Sequence, residues 1–177
     1  MKLTAIVNLT TTKHKENTMQ EIIDAAKAEF LRAKERITHN LATTPDDRIN
    51  WSPTPTARTP VQQVAHAAMA TTGIQGLLMG KPFPYASLAD LDPALRLAEK
   101  EFTTREQALS LLEQTSAEYL QWLDTMTPEQ MASTVHLPSR PSFPMAVGIT
   151  LPADHMRSHC AQIDYIQTIY GDRDWHM

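Results

Sequence analysis

Apolar residues recur at three- and four-residue intervals along most of this chain, the spacing that lines one face of an α-helix. From Met19, the residues Ile22, Ile23, Ala26, Phe30, Ala33, Ile37 and Leu41 form one stripe backed by Glu21, Lys27, Lys34 and Glu35, predicting a first helix over about 18–42. Residues 43–59, rich in Thr, Asp and Pro, read as loop. Thr59-Pro60 then offers an N-cap followed by a proline that loses no hydrogen bond in the first turn. A second helix therefore runs to about Met79, where Gly80, Pro82 and Pro84 stop it. The connection 81–102 has room for a short helix around Ser87–Glu99. A third helix opens at Thr103-Thr104, with Ala108, Leu112, Thr115, Tyr119, Trp122 and Met126 stepping like a bundle seam. Pro138, Pro141, Pro144 and Gly148 make the stretch up to Thr150 mostly loop. A fourth helix, about Pro152–Tyr170, ends at Gly171 in a left-handed C-cap.

Only residues 3–9 alternate with period two, so the expected class is all-α and the expected architecture an up-and-down four-helix bundle. Residues 18–177 form one bundle domain, and residues 1–17 stand outside it as an N-terminal arm. Three readings of that arm stay open: a flexible extension, an added strand, or an upstream start ahead of Met19.

The 177 residues carry 16 Lys and Arg against 20 Asp and Glu, and 42 % of them are hydrophobic, enough for a sizeable core. A net charge of -4 without basic runs provides no electrostatic footprint for nucleic acid or an anionic membrane, and neither is expected as a partner. No apolar run approaches the roughly 18 residues of a membrane span. The single cysteine, Cys160, excludes an internal disulfide and a Cys-rich zinc module and suits a reducing, cytoplasmic compartment.

The histidines carry the candidate chemistry. At 100° per residue, His155 and His159 lie about 40° apart on the stripe that holds Gln162, Ile166 and Ile169, while Arg157 and Asp164 face the other way. Two imidazoles spaced i, i+4 can reach one ion. On the second helix His66 shares a face with Ala70, Gly73 and Leu77, small enough on average to leave room. In an up-and-down bundle the second and fourth helices run parallel, which places all three histidines at one height near one end. Three uncompensated buried imidazoles are costly, and a shared divalent metal offsets that cost. Burial as a hydrogen-bonded cluster without metal is the alternative.

The order of helices, the inward His66, and the string His155-x-x-x-His159-x-x-Gln162 followed by Tyr165 and Gly171-Asp172 resemble the DinB/YfiT-like superfamily of metalloenzymes. Asn50-Trp51-x-Pro53-x-Pro55 through Thr59, ahead of the histidine-bearing helix, is similar to that family's first interhelix loop. The resemblance covers about residues 18–171. It implies a four-helix bundle with a divalent metal, zinc or nickel, held by His66, His155 and His159. Many members have a further histidine just before the second ligand of the last helix; Ser158 stands there in this chain. Neither residues 1–17 nor the long 81–102 connection is explained by the family.

Three histidines leave at least one coordination position open to water or substrate. The leading expectation is a metal-dependent hydrolase or a thiol-dependent transferase, similar to bacillithiol- and mycothiol-using relatives, acting on a small molecule with a low-molecular-weight thiol as a candidate partner. The competing readings are a non-catalytic metal-containing binding module and a helical interaction protein. Gln162 is a candidate to hold an imidazole N–H, and Asp154 a weaker candidate base. With the first-to-second and third-to-fourth helix loops expected at the metal end, Trp51 and Arg140, beside His136, Phe143 and Met145, are substrate-side candidates. Cys160 reads as a small buried residue. Leu88, Leu91, Leu95 and Leu97 are candidates for a homodimer surface.

Overall fold

The computed structural model describes the backbone of residues 2–136, 141–174 and 176, with side chains from Thr18 onward except that of Leu88. Four long helices dominate: α1 (Lys2–Thr43), α2 (Pro60–Leu78), α4 (Arg105–Asp124) and α7 (Leu151–Ile169). A shorter helix, α3 (Leu88–Glu99), lies between α2 and α4. Between α4 and α7 come two single turns, α5 (Pro128–Met131) and α6 (Met145–Gly148), and an antiparallel pair of short strands, β1 (Thr134–Val135) and β2 (Phe143–Pro144).

Local chemistry sets the helix starts. The Thr59 hydroxyl accepts from the Gln62 amide while the Gln62 side chain accepts from the Thr59 amide, and Thr104 with Gln107 repeats this capping box. Each cap contributes about 1 kcal/mol by pairing N–H groups that the helix leaves free. Past the end of α7, Gly171 takes φ 100°, the left-handed conformation expected of a C-cap glycine. Helix α1 begins at Lys2, so the backbone of residues 2–17 extends the first helix and the alternation at 3–9 forms no strand. An isolated strand would leave its backbone groups without partners, whereas a helix pairs them within the segment.

Ion pairs and contacts fix the helix directions. Glu29 pairs with Arg157 and Arg36 with Asp164, so α1 and α7 run parallel. Lys27 pairs with Asp124 and Lys34 with Glu113, so α1 and α4 run antiparallel. Near the start of α2, Gln63 meets His159, while Leu78 at its other end meets Gly148 just before α7, so α2 and α7 are antiparallel too. Helices α2 and α4 therefore point the same way, and the connection carrying α3 returns the chain along the bundle between them.

The four-helix bundle is as the periodicity predicts, but the second and fourth long helices are antiparallel neighbours. A short connection would have forced α2 and α4 to be antiparallel; the long one permits a crossover.

Phe30, Ile37, Leu41, Val61, Val64, Leu112, Tyr119, Leu123, Met156 and Ile163 make the core where these helices meet. Phe30 and Tyr119 pack with ring centroids 4.8 Å apart, and the Tyr119 hydroxyl donates to the Ile149 carbonyl. Ala65, Ala67 and Ala68 are fully buried and let α2 approach its neighbours closely. At Gly148 an added Cβ would sit 2.6 Å from Leu78 Cδ2, with Phe143 and Val135 also close. Val135, Phe143 and Gly148 thus pack at the C-terminal end of α2, about 18 Å along that helix from His66. The 44–59 loop and the turn after α3 lie at the His66 end of α2, and the segment that follows α6 leads into α7 four residues before His155.

Candidate metal centre

The antiparallel packing of α2 on α7 brings His66 against His155 and His159. One ring nitrogen from each lies within 4.8 Å of the other two. The ring centroids are 4.5 Å apart for His66–His159 and His155–His159 and 5.2 Å apart for His66–His155. His66 and His159 are buried and His155 is partly so.

Two of the rings are held from behind. His66 Nδ1 donates to Glu99 Oε1 at 2.6 Å, and His159 Nδ1 donates to Gln63 Oε1 at 2.5 Å. With each Nδ1 carrying its hydrogen, the lone pair of the neutral ring sits on Nε2 in both His66 and His159. His159 Nε2 and His155 Nε2 face each other at 3.0 Å. Two lone pairs at that distance repel unless a proton or a cation lies between them. His155 Nδ1 has no hydrogen-bond partner among the described residues.

Burial pushes His155 down to about 4, helped by the charges His66 and Arg58 would carry, and it pushes His159 down to about 3, helped by His155, His66 and Arg58. Both are neutral at pH 7 and able to donate a lone pair. For Glu99 burial pushes the carboxyl up, but the hydrogen bonds from His66 and Arg58 outweigh it and hold the group below the usual carboxylate range. Arg58 Nε donates to Glu99 Oε2 at 2.6 Å and its Nη2 to Asp92 Oδ1 at 3.0 Å. Arg96 completes the network through Asp92 Oδ2 and the Thr56 carbonyl. Since Arg58 balances Glu99, the centre is neutral overall, and its three oriented nitrogens suit a borderline divalent ion. Glu99 also borders a groove of about 470 Å³ lined by Pro55, Thr56, Ala57, Gln62, Arg96 and Lys100.

The remaining candidates are placed elsewhere. Gln162 is exposed, and its side-chain hydrogen bond to His159 is the least of the influences on that ring; the amide that takes Nδ1–H is that of Gln63. Trp51 packs edge-on against Tyr170 at 6.0 Å with the Arg48 guanidinium 5.8 Å from its ring, closing the end of α7 away from the histidines. Arg140 lies outside the described residues. His136 and Phe143 belong to the 127–150 connection at the far end of α2. Asp154 is exposed and paired with Arg157. Cys160 is buried, its thiol pushed up to about 11 by burial and by Asp164, and it accepts from the Asn40 amide.

Sequence reasoning missed Glu99, Arg58 and Gln63. A signal for Gln63 was present, three residues before His66 on the same helix face. Nothing local marks Glu99, one of several acidic residues around a short amphipathic helix.

A four-helix bundle with a three-histidine centre between two of its helices defines the class. The DinB superfamily model matches residues 29–163, which include all three histidines and Glu99, and the chain belongs to that superfamily. Solved structures share the fold. YfiT from Bacillus subtilis, described as "a probable metal-dependent hydrolase with an unusual four-helix bundle topology", is 16% identical, with a TM-score of 0.67 over 84% of this chain and 87% of that one. A structure described as sibling lethal factor precursor DfsB is 19% identical, with a TM-score of 0.64 over 84% of this chain and 96% of that one. An uncharacterised protein from Clostridium difficile 630 is 12% identical, with a TM-score of 0.66 over 83% and 96%. Comparison with curated protein sequences finds no match.

Proposed function

We propose that this protein is a metal-dependent hydrolase of a small molecule, with His66, His155 and His159 holding one zinc or nickel ion. The observation that carries this reading is that the Nδ1 atoms of His66 and His159 are engaged by Glu99 and Gln63, which puts their lone pairs on Nε2, where His159 meets His155 Nε2 in a 3.0 Å hydrogen bond whose proton a cation can replace. When bound, a divalent ion supplies Lewis acidity toward a carbonyl or phosphoryl oxygen and eases deprotonation of water or a thiol. The protein's own part is to present neutral donors, hold their tautomers, and leave a coordination position that no fourth side chain occupies among the described residues. Because Arg58 cancels the Glu99 charge, the loaded centre keeps the ion's positive charge and favours an anionic ligand or a reaction that develops negative charge. Family membership and the description of YfiT support the hydrolytic reading.

Elemental analysis of untagged protein tests it. About one divalent ion per chain in the wild type, absent from the His155→Ala, His159→Ala double variant, is the expected result. Chelator-sensitive turnover of ester, amide or phosphoester probes then separates hydrolysis from transfer to an added low-molecular-weight thiol. Protein that contains no metal and takes up none on reconstitution overturns the proposal.

A further inference from the structure

Helix α3 presents an inversion of the usual burial order. Leu97 is 67% exposed, Leu91 and Leu95 are only partly covered, and the one buried side chain among the described residues of the helix is the carboxylate of Glu99, 1% exposed. Removing a carboxylate from water is unfavourable by several kcal/mol unless partners replace the hydration. Here Arg58 takes one oxygen and His66 the other. Apolar packing does not account for a helix docked by its acid with its leucine outward.

We infer that Glu99 is a positioning residue of the metal centre and that α3 docking and metal binding are therefore mutually reinforcing. This rests on the metal reading above. By accepting the Nδ1 hydrogen, Glu99 fixes the His66 tautomer, orients the ring and makes its Nε2 a better donor, the role carboxylates take behind metal-binding histidines. A cation on Nε2 in turn makes Nδ1–H a stronger, charge-assisted donor to Glu99. Linkage is reciprocal: the factor by which docked Glu99 tightens metal binding is the factor by which metal tightens the docking of α3. Arg58, bound to both Glu99 and Asp92, keeps the carboxylate in place when no metal is present.

The test measures zinc affinity by competition with a chelating dye for the wild type, Glu99→Gln and Glu99→Ala, together with amide hydrogen exchange across residues 88–99 with and without zinc. Glu99→Gln, which keeps an acceptor but loses the charge, is expected to bind about 10-fold more weakly, and Glu99→Ala up to about 100-fold. Zinc is expected to slow exchange in α3 of the wild type and to leave it unchanged in Glu99→Ala. If Glu99→Ala does not fold, the Gln variant carries the comparison. Wild-type zinc affinity in both variants, with His66→Ala still abolishing binding, overturns this inference and spares the metal site, as does α3 exchange that ignores zinc. A wild type that binds neither zinc nor nickel overturns both.

Discussion

Glu99 Oε1 lies 2.6 Å from His66 Nδ1 although 33 residues, the end of α2 and a crossing connection separate them. The crossover therefore supplies a partner to the histidine cluster as well as joining two parallel helices. On the metal reading proposed above, metal and fold are linked. A ligand that binds only the folded state stabilises it by about 2.7 kcal/mol when present at 100 times its Kd. Zinc at that excess should raise the thermal midpoint of the wild type by several degrees, a chelator should reverse the rise, and the His155→Ala, His159→Ala variant should not respond; a midpoint indifferent to zinc refutes this.

The metal-free protein should weaken in mild acid. His155 and His159 titrate near 4 and 3 in the fold against about 6.5 when unfolded, so the unfolded chain takes up protons first as pH falls below 6.5. Their contribution is fully present above pH 6.5 and is lost progressively down to the folded values. Urea unfolding in the presence of chelator should show stability lower at pH 5 than at pH 7 by on the order of 2–3 kcal/mol. Equal midpoints at the two pH values would mean that these rings charge freely inside the fold.

Gln63 should matter for tautomer as well as packing. Replacing it by Leu leaves the buried His159 Nδ1–H without an acceptor, which costs about 1–3 kcal/mol and lets the hydrogen move to Nε2. Nitrogen-detected NMR of the metal-free variant should show the changed tautomer, and zinc affinity should fall. Gln162→Leu, altering an exposed side chain with a weaker hold on the same ring, should change both less.

Gly148 tests the far end of the bundle. Ala there drives a Cβ toward Leu78 Cδ2, so Gly148→Ala should destabilise by about 1–3 kcal/mol while leaving zinc affinity unchanged. Adding Leu78→Ala removes the obstructing atoms, and the double variant should lose less than the sum of the two single changes. Strict additivity in chemical denaturation would show that the two residues do not press on each other.

The sequence alone determined the four long helices and the inward placement of the three histidines, though not the extension of α1 to Lys2 or the exposure of Gln162 and Ile169. Thr59, Thr104 and Gly171 punctuate helices through hydrogen bonds and backbone preferences that reach only a few residues, and His155 and His159 share a face because an α-helix repeats every 3.6 residues. His66 was legible for the same reason. What only the tertiary structure decided is how the helices run and who stands behind each imidazole. Periodicity records which face is buried and carries no sign for direction, so the parallel arrangement expected of the second and fourth helices turned out antiparallel. The partner of His159 was sought along its own helix at Gln162, whereas the packing supplied Gln63 from α2. Glu99 joined the histidine cluster through the crossover that buries it against Arg58 and His66, a consequence of contacts between segments distant in the chain that no local pattern encodes.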